Sequence, residues 1–220
     1  MPGARGVRHR GSAGPDAGGS ALRFERYEVH TAWARSRGQR ERSGPGDLDL
    51  VVLGARTWVR LVVKGDLAAL LPLWVPDEHV LVLRGPGREL REQAHRFVSR
   101  AAGRAALGSL RSHWDRATVR RGRGRPGYVP RPAAHALRAG LQGLDLLRTG
   151  SLRLPVPEPD LSELCAVRAG TTPLREVRAR VAEVEADLER ACRTADVPAG
   201  PDRVWLQDWL SRSSAEFWRS

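Results

Sequence analysis

Lysine is almost absent from this sequence: Lys64 is the only one, and the other 36 of the 37 basic residues are arginine. Sulfur and rings are sparse too, with two cysteines, one methionine, two tyrosines and three phenylalanines in 220 residues. Cys165 and Cys192 lack the spacing of a metal-ligand set, which excludes a thiolate-rich metal site, and both read as buried free thiols. No run reaches the roughly eighteen apolar residues a membrane span needs. The Arg- and Gly-rich opening also lacks the apolar segment of a signal peptide. The expectation is a cytoplasmic protein with no membrane partner.

Acids are outnumbered, 25 against 37 bases, for a net charge of +12 and a pI near 11.3. Such an excess suits a phosphate-rich partner, because arginine neutralises phosphates and releases counterions. The near-total use of arginine, beside abundant Ala, Gly and Pro, is also what GC-rich coding produces, so clustering carries more meaning than the total. One cluster exists: Arg116, Arg120, Arg121, Arg123, Arg125 and Arg131 fall within sixteen residues that contain no acid. Hydrophobic content of 41% with 28% charged residues is globular, and the length suits one domain or a compact two-lobed one.

Residues 1–21 are of low complexity and are expected to be a disordered Arg/Gly-rich leader. From Leu22 to Trp33 apolar and charged residues alternate as in a half-exposed strand. A Ser43-Gly-Pro-Gly46 turn then precedes Asp47-Leu-Asp49 and the β-branched run Leu50–Leu53, which reads as the next strand, and Val80–Leu83 reads as a third. Asp47 and Asp49 alternate to the same face, about 7 Å apart along the chain. They can share a hard cation, or Asp47 can belong to the turn while Asp49 caps an exposed strand entrance. Helical spacing follows in Trp58, Leu61 and Val62, stopped at Lys64-Gly65, and Asp66 can cap the next helix. Helices are expected over 87–97 and 99–119, from about Pro132 to Arg148 with Gly150 as stop, over 161–168, up to about Cys192 after the Thr172-Pro173 start, and beyond Pro201.

The second informative stretch is Arg125-Pro-Gly-Tyr128-Val-Pro-Arg131-Pro-Ala-Ala-His135-Ala-Leu-Arg138. His135 and Arg138, three apart, share one helix face and could grip phosphate oxygens near a positive helix start. Equally, His135 could be a satisfied core histidine, and Lys64 a solvated helix-end cation.

Together, Gly46-Asp-Leu-Asp-Leu-Val-Val52, Arg56-x-x-x-Arg60-Leu61, Lys64-Gly65 and the Arg125–Arg138 stretch resemble the signature blocks of predicted nucleotidyltransferases of the DNA polymerase β superfamily, of the kind often found beside RNA ligases. The resemblance implies an α+β fold: a small mixed sheet in a truncated nucleotidyltransferase-like part over residues 22–97, then a helical bundle over 98–220. It implies metal-dependent transfer of a nucleotidyl group from a nucleoside triphosphate to a hydroxyl, with RNA or another nucleic acid as acceptor. Asp49, with Asp47 as auxiliary, would be the catalytic and metal-binding carboxylates for Mg²⁺ or Mn²⁺. Lys64, Tyr128, Arg131, His135 and Arg138 would hold the nucleotide and its phosphates. The family's first strand, Gly-Ser followed by paired carboxylates, has no counterpart here, since Gly11-Ser12 is followed only by Asp16. A missing or degenerate strand implies weak or absent turnover. The alternative is a non-catalytic, basic nucleic-acid-binding protein that uses the Arg116–Arg131 cluster.

Overall fold

The computed structural model describes residues 26–30, 46–118 and 127–217. The expected leader at 1–21, with Gly11, Ser12 and Asp16, lies outside the described residues, as do Arg120, Arg121, Arg123 and Arg125. The chain falls into two compact units, Met1–Arg60 and Leu61–Ser220.

In the first unit β1 (Arg26–His30) and β2 (Asp49–Leu53) pair antiparallel, with Arg26 opposite Leu53 and His30 opposite Asp49. Leu50, Val51 and Val52 are all exposed, so β2 is not the core strand that its β-branched run suggests. After Gly54, helix α1 (Ala55–Val63) begins with Trp58 N–H donating to the Gly54 carbonyl at 2.9 Å, and it runs on into the second unit. The strand expected at Val80–Leu83 does not form: the chain is irregular there, with Leu81 97% and Val82 74% exposed. Pro76 and Gly85-Pro86 bracket this short run, and apolar sequence without a neighbouring strand has no ladder to join. The described strands therefore make an antiparallel pair, not the expected mixed sheet, and the described chain is predominantly helical.

The second unit is helical. α1 closes with Gly65 at φ +78°, whose N–H donates to the Val62 carbonyl (2.8 Å) while Asp66 N–H donates to that of Leu61 (3.1 Å). This paired closure satisfies carbonyls that a helix end otherwise leaves open. A Cβ on Gly65 would lie 2.6 Å from Ala102 Cα, so only glycine lets this turn meet the next long helix. Asp66 then caps α2 (Leu67–Leu70) by accepting from Ala69 N–H at 3.0 Å. Helix α3 spans Gly85–Glu92, shorter than the helix expected over 87–97, and 3₁₀ geometry takes over at Ala94–Phe97. The long helices are α4 (Arg100–Thr118), α5 (Pro130–Thr149), α6 (Asp160–Ala169), α7 (Leu174–Thr194) and α8 (Arg203–Phe217). α8 is held to the α3 region by Trp209 Nε1–H donating to the Pro86 carbonyl (3.2 Å), by Arg212 on Glu89 (2.8 Å), and by Trp205 edge-on to Phe97. Of the two cysteines, Cys192 is half-buried but Cys165 is exposed, contrary to expectation. Cys165 falls on the outer face of the amphipathic α6, whose buried positions are Leu164 and Val167. Among the described residues no helix is long and apolar enough to cross a membrane.

α5 is the central element, with eleven of its twenty residues buried against α4, α6 and α7. Its approach to α4 and α7 depends on missing side chains. A Cβ at Gly143 would stand 2.5 Å from Ala106 Cβ, and one at Gly140 would stand 2.5 Å from Val184 Cγ1 and 2.6 Å from Leu110 Cδ1. Glycine inside a helix costs up to about 1 kcal/mol relative to alanine, and the close packing of Leu110, Leu137, Val184 and Leu188 offsets that cost. Gly143→Ala is therefore expected to destabilise by about 1–3 kcal/mol, because Ala106 has no rotamer with which to yield. Gly108→Ala in α4, where an added Cβ meets nothing within 4 Å, should stabilise by up to about 1 kcal/mol. Thermal melts of the two variants should move in opposite directions.

Candidate anion-binding site

The entrance to α5 is built by neighbouring elements, not by a capping side chain. Val129 N–H donates to the Ala117 carbonyl at the end of α4 (2.9 Å), and Pro130 and Pro132 carry no N–H. In the opening turn Arg131 is left as the residue with an uncommitted backbone donor, so side chains must supply the other donors to an anion held here. Tyr128 is half-buried against the core, and its hydroxyl lies 3.0 Å from the Thr172 carbonyl and 3.3 Å from that of Val167. Its pKa is raised by burial. Of the residues expected to hold nucleotide, Tyr128 thus has its hydroxyl committed to backbone carbonyls, and it positions the start of α5 against the α6–α7 turn.

Past that entrance, α5 presents Arg131, His135 and Arg138 on one side. One Arg138 guanidinium nitrogen is 3.2 Å from His135 Nδ1. Since an arginine only donates, His135 Nδ1 accepts, and its proton sits on Nε2. The His113 ring from α4 lies 5.4 Å from the His135 ring, centroid to centroid. Arg168 comes from the last turn of α6, where Gly170 approaches Pro130: a Cβ on that glycine would lie 3.2 Å from Pro130 Cγ.

Three helices therefore bring cations to one place. Burial, then Arg138, His113, Arg131 and Arg168, drive the His135 pKa down to about 4. Burial, then Arg116 and Arg138, lower that of His113. Arg138 itself is pulled down by desolvation and then by Arg168. Every charged group that perturbs these three is a base. Among the described residues no carboxylate pairs with Arg116, Arg131, Arg138 or Arg168. Four like-charged guanidinium groups around two neutral imidazoles store mutual repulsion that an entering anion would relieve.

Lys64 stands elsewhere in this unit. It is exposed beside Gly65, which packs on Ala101 and Ala102 at the start of α4, whereas His113 lies eleven residues further along that helix, about 16 Å by helical rise. Asp66 acts as the α2 cap. In the first unit Asp49 is exposed as the first residue of β2, and Asp47 is half-buried in the approach to it. A two-metal centre needs more donors than two carboxylates supply. Among the described residues no group of three or more His, Cys, Asp or Glu side chains is assembled to hold a metal ion. The described donor set thus does not fit the Mg²⁺ or Mn²⁺ centre that the resemblance implies.

Sequence reasoning found Arg131, His135 and Arg138 because helical spacing joins them. His113 and Arg168 reach the cluster from α4 and α6 through tertiary packing, which leaves no local signal in the sequence. Comparison with protein-family models, curated proteins and solved structures finds no match for this chain.

The depressed His135 pKa fixes the sign of a pH effect. An unfolded histidine takes up its proton near pH 6.5, while His135 in the fold stays neutral down to about 4. Its contribution to stability is therefore present above pH 6.5 and is lost as pH falls towards 4. Over that window the melting temperature of His135→Asn should fall less than that of the unsubstituted protein, as followed by circular dichroism.

Proposed function

We propose that this chain binds a nucleoside triphosphate through its phosphate groups on the face formed by α4, α5 and α6, and that it transfers no nucleotidyl group. The observation that carries this reading is the convergence of Arg116, Arg131, Arg138 and Arg168 on His113 and His135, with no carboxylate partner among the described residues. Arginine forks match phosphate oxygens geometrically. The Nε2–H of neutral His135 adds a donor, and a bound polyphosphate would draw a proton onto the ring by raising its pKa. The likeness to nucleotidyltransferases agrees with the triphosphate. The two-carboxylate set at Asp47 and Asp49 agrees with the lack of transfer.

A second reading is favoured by one feature. Arg116, Arg131 and Arg168 are exposed on three different helices, which spreads positive charge beyond the footprint of one phosphate and suits a nucleic-acid backbone. Salt separates the two readings, since binding to a phosphodiester chain weakens steeply with ionic strength in proportion to the phosphates contacted.

Binding of ATP and of inorganic tripolyphosphate, measured by calorimetry, should weaken about tenfold or more in Arg138→Ala, because a hydrogen bond to a charged group contributes about 1.5–3 kcal/mol. Unchanged affinity would remove the site. In a labelled-nucleotide assay with RNA as acceptor, the protein and Asp49→Ala should be equally inactive; robust transfer dependent on Asp49 would overturn the non-catalytic assignment.

A further inference from the structure

Below the basic cluster, α5, the 151–159 connector, α6 and α7 enclose a cleft of about 260 Å³. Its charged lining is already neutralised. Asp145 holds Arg153 at 2.7 Å, Asp187 holds Arg148 at 2.8 Å, and Asp160 holds Arg180 at 3.3 Å. Three positive and three negative groups line the walls, each already engaged by an opposite charge, so none is left free to select a ligand by sign. Leu141, Leu144, Val156 and Val184 supply apolar surface between them.

Gln142 is the exception in this lining. It is only 9% exposed, it faces the cleft from α5, and its side chain makes no hydrogen bond among the described residues. No buried side-chain polar atom lacks a partner among the described residues, so this carboxamide opens onto the cleft, where it offers a donor and an acceptor on adjacent atoms. The ligand that answers it is neutral, has a body that fits an apolar slot, and carries an edge with an adjacent acceptor and donor. Nucleobases carry such edges, and glutamine reads them in a bidentate manner.

We propose that this cleft binds a nucleobase, with the Gln142 carboxamide pairing to its edge. The proposal rests on the phosphate reading above and supplies the other end of the same ligand. Gln142 lies four residues past Arg138, on the same side of α5 and about 6 Å further along its axis. A base on Gln142 therefore has its sugar and phosphates one helical turn from the arginine cluster.

Nucleosides test the cleft without the cluster, and tripolyphosphate tests the cluster without the cleft. Adenosine, guanosine, cytidine and uridine are titrated into the full chain by saturation-transfer NMR and calorimetry. At least one should bind, and Gln142→Leu, which keeps the volume and removes the amide, should weaken it about tenfold while leaving tripolyphosphate affinity unchanged. Arg138→Ala should do the reverse. Val156→Phe, which fills the cleft from the connector, should abolish nucleoside binding and carries the same criterion if the leucine variant does not fold. The proposal is overturned if none of the four nucleosides binds, if binding survives both cleft substitutions, or if acetamide competes at equal concentration. Loss of tripolyphosphate binding in Arg138→Ala with no nucleoside binding would leave the phosphate site standing and remove the base site alone.

Discussion

The absence of side chains along one seam decides the shape of the helical unit. Gly140 and Gly143 on α5 allow Leu110, Ala106, Val184 and Leu188 to close onto the helix backbone, and Gly103 on α4 does the same for Leu147. Helices packed this closely are fixed in register as well as in distance, since small residues fit only opposite particular partners. That register carries His113 of α4 to His135 of α5. A slip of one turn along the seam would separate the two imidazoles and disperse the cluster. The site is thus a by-product of packing several turns away.

Charge is sorted along the same bundle. The acids of α7 are taken up by arginines from its neighbours: Glu185 (2.6 Å) and Glu189 by Arg111 of α4, and Asp187 by Arg148 of α5. Arg180 on α7 gathers Asp160, Glu163 and Glu183. These pairs are largely exposed and add little to stability individually. Their effect is one of distribution. With the carboxylates held on the α7 side and towards the far end of α5, none is left beside Arg131, Arg138 and Arg168, and positive charge accumulates where α5 begins.

Much of the helical layout could be read from local chemistry. Gly65 and Gly150, expected as stops, each adopt a positive φ, and Pro173 directly precedes the helix expected after it, whereas the start expected at about Pro132 falls at Pro130. Asp66 was legible as a cap for the same reason, since it follows a helix stop and precedes an apolar turn. The strands were less legible. Val80–Leu83 has strand composition, but composition does not say whether a partner strand is present, and in the fold Leu81 and Val82 face solvent. The candidate site was half visible, because helical spacing links Arg131, His135 and Arg138, whereas His113 and Arg168 join them only once α4 and α6 are packed. Gln142 gave no signal at all: its sequence context is that of an ordinary amphipathic helix, and only its place in the lining of the cleft sets it apart.

Lys64 is exposed at the end of α1, the helix within which the boundary between the two compact units falls. As the sole lysine it is the only ε-amine available to acylating reagents. A fluorophore coupled to that side chain reports from a single, known position just after α1, without any engineered cysteine.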